Sequence, residues 1–127
     1  MASPGSTNTA KLATVMLAFR NAIKMFHWST KSYAAHQTSN GYLGKLDDLT
    51  DTIIEVYSAT YGRPLVSDEP VRPMVIKDLT NGLDVFAKFL QDEFPKFVNP
   101  LVDTHLLNLR DELLSETQRA IYLSTFR

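Results

Sequence analysis

The sequence predicts an all-α protein: a four-helix bundle with one long crossover between its second and third helices. Three observations predict it. Apolar residues recur every three or four positions in four separate segments, a single proline-broken stretch divides them two and two, and no segment alternates as a half-buried strand would. At 127 residues the chain has the size of one domain with one core. Residues 1–8 read as a short disordered arm and residues 9–127 as the bundle.

In the first helix Leu12, Met16, Phe19, Ile23 and Phe26 keep helical spacing. The second carries Leu43, Leu46, Thr50, Ile53 and Tyr57, with Ser39 or Asn40 as its expected cap, and stops at Gly62 and Pro64. GRPLVSDEPVRPMVIK, with three prolines in no helical period, must be extended. The third helix, LTNGLDVFAKFLQDEF, buries Leu79, Leu83, Phe86 and Leu90 and ends before Pro95. Asn99 and Pro100 offer a cap and a first-turn proline to the fourth, expected to bury Val102, Leu106, Leu109, Leu113 and Ala120. A second stripe there, Leu107, Leu114 and Ile121, suggests contact with another subunit. Two short connections around one long one make the ferritin-like four-helix bundle the expected topology.

Composition narrows the chemistry. The absence of cysteine excludes disulfides, thiolate metal sites, iron–sulfur clusters and thiol catalysis. A formal charge of -1 and a lysine-free arm argue against binding nucleic acid, and no apolar run is long enough to span a membrane. The expected location is therefore cytoplasmic, or the virion or host cytoplasm for a virus-encoded chain. No nucleophile elbow or phosphate loop is present, and His105 reads as structural.

The chemistry concentrates in FHWSTKSYAAHQTSNGYLGKLDDLTDTIIE, residues 26–55. On the second helix Asp47, Asp51 and Glu55 stand at i, i+4 and i+8, with Asp48 beside them. At about 100° per residue they share one face, roughly 200 to 240° round from the apolar stripe, and so point away from their own core. Lys45 is the only basic residue between Ser32 and Tyr61, so these acids lack partners on their own helix. His27, next to Trp28, and His36 precede them. Imidazoles and carboxylates without thiolate suit iron, with zinc or manganese as substitutes. Carboxylates that face outward cannot close a site inside their own bundle, and no Glu-x-x-His occurs, but a two-fold neighbour could bring its histidines to them.

FHWSTK, His36 and the DTIIE of Asp51–Glu55 together resemble the Dps-like miniferritins, over roughly Leu12 to Gly62. The resemblance implies Fe(II) oxidation at sites shared across dimers: His27 and His36 from one subunit, Asp51 and Glu55 from its mate, Trp28 packed alongside. It also implies a homo-oligomer built on two-fold dimers, up to a closed cage that stores iron. The chain departs from the family in its histidine spacing, nine residues rather than the usual twelve, and in Gln37 where an acid commonly stands. A non-catalytic structural or assembly subunit, as in a viral particle, is the alternative.

Overall fold

The computed structural model describes residues 4–126. It contains four α-helices, α1 (Pro4–Ser29), α2 (Tyr33–Tyr61), α3 (Leu79–Lys88) and α4 (Thr104–Ser124), and no strand among the described residues. Every residue of the first three predicted stripes is buried, and the core they form is centred on Phe19 and Phe86, whose rings stack at 3.9 Å. Stacked aromatics at this depth supply both buried area and a fixed relative position for α1 and α3.

Contacts between the helices set their directions. Gly5 lies against the end of α2, and His27 against its beginning, so α1 and α2 run antiparallel. Tyr42 Oη meets Thr117 Oγ1 at 2.8 Å, and Tyr61 bonds Asp103, so α2 and α4 are also antiparallel. Thr80 bonds Ser124, and Arg110 Nη1 donates to the Leu90 carbonyl, which does the same for α3 and α4. The extended crossover of residues 62–78 therefore returns the chain along the full height of the bundle.

Several expectations need correction. The arm is shorter than residues 1–8: α1 already includes Pro4–Asn8, and residues 1–3 lie outside the described residues. The reason is tertiary. Thr9 Oγ1 sits 2.8 Å from the carbonyls of both Gly5 and Gly62, sharing its one proton between them. Gly5 presses so closely on α2 that a Cβ there would lie 1.9 Å from the Tyr61 carbonyl oxygen. Gly62 ends α2 at φ 108, a conformation that side chains disfavour.

The second helix starts two turns earlier than expected, capped by Ser32, whose Oγ accepts from the Ala35 N–H at 3.1 Å. The third is capped by Asp78, and past Lys88 it widens into a π-helical turn, Phe89–Glu93, and then tightens to Phe94–Phe97. Asn99 and Pro100 do not open the fourth helix. Its cap is Asp103, whose Oδ2 accepts from the Asn99 N–H at 2.7 Å and from Tyr61, so residues 99–102 form a turn and Val102 is exposed. The stripe of Leu107, Leu114 and Ile121, expected at a subunit contact, is half-buried and packs on the chain's own core. No described helix is long and apolar enough to cross a membrane.

Candidate functional site

Only Thr30–Ser32 separate α1 from α2, which places His27 in the last turn of one helix beside His36 in the first turn of the next. Their rings stack at 3.9 Å between centroids, 18° from parallel. Each Nδ1 meets the other residue's backbone carbonyl: His27 Nδ1 lies 3.0 Å from the His36 oxygen, and His36 Nδ1 lies 2.9 Å from the His27 oxygen. A carbonyl only accepts, so both Nδ1 atoms carry the proton. Both Nε2 atoms are thereby left with a lone pair when the rings are neutral. Ser39 supports the arrangement: its hydroxyl donates to the His36 carbonyl, and its oxygen lies 3.1 Å from His27 Nδ1. A backbone carbonyl on the far nitrogen is how metal-binding histidines are commonly oriented.

Trp28 follows His27 at the end of α1. It is 67% exposed, and Lys24 Nζ stands 5.2 Å from its ring centre.

The carboxylates point outward as the helical arithmetic requires: Asp47, Asp48, Asp51 and Glu55 are all exposed. They are not without basic partners. Arg20 reaches across from α1 and forks onto Asp47, with Nε 3.0 Å from Oδ1 and Nη2 3.3 Å from Oδ2. Asp51 and Glu55 remain outside that pair. One turn apart, they interact with each other: a hydrogen bond to Asp51, reinforced by its charge, raises the Glu55 carboxyl above its ordinary range.

The two halves of the predicted set do not meet within one chain. His36 and Asp51 are 15 residues apart on α2, a rise of about 22 Å at 1.5 Å per residue. Among the described residues no three His, Cys, Asp or Glu side chains gather to hold a metal ion. Midway between His36 and Asp51 lie Gly41 and Gly44, and a Cβ on either would meet nothing within 4 Å.

An open groove of about 640 Å³ runs beside Asp51 between α1 and α2, lined in part by Leu17, Arg20, Asp47, Thr50 and Ile54, with Pro64 of the crossover at its end. Thr50 is buried there, and its Oγ1 has no hydrogen-bond partner. Arg20, Ser39 and the groove were missed from sequence. Ser39 carries a usable signal, three residues after His36, although the same position suits a cap. Arg20 is tied to Asp47 only through the packing of two helices.

Residues 27–123, which include both histidines, Asp51 and Glu55, match the model of a family of unknown function (DUF5856). No curated protein and no solved structure matches the chain.

Proposed function

The chain belongs to this family of unknown function, and from its own geometry we propose that it is a ferritin-like, Dps-like iron protein. It would oxidise Fe(II) at sites shared between two-fold related subunits and retain the ferric product in an oligomer. The observation that carries this reading is the reciprocal bonding of His27 and His36, which holds two imidazoles in the Nδ1–H form and leaves both Nε2 lone pairs for a cation.

The glycines support the shared site. An interior helical glycine costs about 1 kcal/mol relative to alanine, and nothing inside this chain requires Gly41 or Gly44. Their use is external: a smooth stretch of α2 on which a second α2 can lie. The midpoint between His36 and Asp51 falls at Leu43–Gly44, so an antiparallel two-fold crossing there brings His36 of each subunit to the level of Asp51 in the other. Two sites result, each with two imidazoles and two carboxylates, a donor set suited to Fe(II). With peroxide as oxidant, two Fe(II) ions each give one electron, and the peroxide takes up two electrons and two protons and leaves as water.

The competing reading keeps the dimer and discards the chemistry. His27 is almost fully buried and hydrogen-bonded, so the pair could simply staple α1 to α2 in a structural subunit. Anaerobic Fe(II) titration followed by addition of peroxide separates the two. The ferroxidase reading predicts saturable binding and rapid ferric absorbance in the wild type, both lost in Asp51→Asn and kept in Asp111→Asn. Equal behaviour of wild type and Asp51→Asn would leave the structural subunit.

A further inference from the structure

The outer stripe of α2 continues past Gly44 in both directions. Stepping by three or four residues it runs through Tyr33, Gln37, Asn40, Gly44, Asp48, Asp51 and Glu55, all exposed. At its start stands Tyr33, 74% exposed, its hydroxyl held by the side-chain amide of Gln37. Tyrosine is among the residues enriched as anchors where two proteins meet. At the other end of the same helix lies the groove of about 640 Å³, with Leu17, 42% exposed, and half-buried Ile54 on its walls.

The two features are related by the crossing at Leu43–Gly44. That crossing places position 33 of one α2 at the level of positions 54 and 55 of the other, beside the groove. The charges agree. The end of the molecule that carries Tyr33 also carries Lys24 and Lys31, whereas Asp47, Asp48, Asp51 and Glu55 in and beside the groove outnumber the cations near them, Arg20 on Asp47, Lys45 beside Asp48 and Arg63 beside Glu55. Because the contact is isologous, each dimer would contain it twice, with a basic aromatic end on an acidic groove both times.

We propose that this groove is the socket for Tyr33 of a second copy of the chain, and that the Tyr33–groove contact sets the register of the dimer. The proposal rests on the shared-site reading for its two-fold axis, and it assigns the task of bringing histidines to carboxylates to residues that bind no metal. Tyr33 and Leu17 are positioning residues. Both are exposed in the isolated chain, so substitutions there leave the core untouched.

A double-mutant cycle on the metal-free protein tests this by sedimentation velocity. Tyr33→Ala should raise the dimer dissociation constant about tenfold or more, the size expected when a dimer loses a buried aromatic anchor from each of two equivalent contacts. Leu17→Trp, which fills the socket, should do the same. Combining them should cost little beyond either alone, because a filled socket has no tyrosine left to exclude. A wild-type chain that stays monomeric, a dimer indifferent to Tyr33→Ala, or strictly additive effects would each overturn the proposal. Failure here is distinct from failure of the iron reading: a dimer that depends on Tyr33 but binds no Fe(II) rejects only the latter, and shared Fe(II) sites unaffected by Tyr33→Ala reject only the former.

Discussion

His27 and His36 each donate their Nδ1–H to the backbone carbonyl of the other, with the two rings stacked between them. The exchange ties the last turn of α1 to the first turn of α2 across a three-residue connection, and it decides which nitrogen of each ring remains able to bind. The tautomer is directly observable. Long-range ¹H–¹⁵N correlation spectra of the neutral, metal-free protein should show protonated Nδ1 and unprotonated Nε2 for both residues. Nε2–H at either ring would remove it from the ligand set.

Substitution of Gly44 separates the chain's own stability from its association. A methyl group there meets nothing within 4 Å and gains helix propensity, so Gly44→Ala should stabilise the isolated subunit by about 0.5–1 kcal/mol. On a close helix crossing the same methyl intrudes, and the dimer should dissociate more readily. Urea unfolding and sedimentation measured on one preparation report both effects. A stabilised subunit with unchanged dimer affinity would move the crossing away from Gly44.

Acid should unfold the protein partly through Asp103. The hydrogen bond from Tyr61, with the Asn99 N–H as a second donor, holds its carboxyl below the ordinary aspartate range. A depressed native value means that this stabilisation is complete above the unfolded value near 3.9 and is lost as pH falls through the lower native value. Wild-type stability should therefore drop below about pH 4, and Asp103→Asn should flatten that limb while lowering stability at neutral pH. An unaltered acid limb in Asp103→Asn would mean that the Tyr61 contact contributes little.

Thr50→Val should be neutral or stabilising, by up to about 1 kcal/mol, because the hydroxyl it removes is buried without a partner. Other hydroxyls within helices here bond the carbonyl four residues back, as Thr52 and Thr117 do to Asp48 and Leu113. A marked loss of stability on thermal denaturation would reveal a bond that Thr50 makes in solution.

The helical stripes were legible in the sequence because burial follows periodicity, and a shift in helix ends does not rotate them. The second helix begins at Tyr33 rather than beyond Ser39, two turns early, yet Leu43–Tyr57 keep one face because their mutual spacing, not the helix start, sets it. The outward direction of Asp51 and Glu55 followed from the same arithmetic. Helix ends were less legible because tertiary partners choose among competing caps. Ser39 is taken by His27, and the Asp103 carboxylate, which accepts from the Asn99 N–H and from Tyr61 on α2, holds residues 99–102 in a turn and delays the start of α4. Arg20's hold on Asp47 depends on the register of α1 against α2, which neither helix records alone.

The claim that one subunit lends its histidines to the carboxylates of another is tested most directly by mixing two defective proteins. His27→Ala/His36→Ala retains only the carboxylate half, and Asp51→Asn/Glu55→Gln retains only the histidine half. Neither homodimer should bind Fe(II) at the shared site. After the two are unfolded together and refolded, each heterodimer should contain one complete site, and Fe(II) binding should return to about one quarter of the wild-type amount per chain, since half of the dimers formed at random are mixed. Recovery at that level is the predicted result. A mixture as inert as its components, or full binding by either variant alone, would contradict a site shared between subunits.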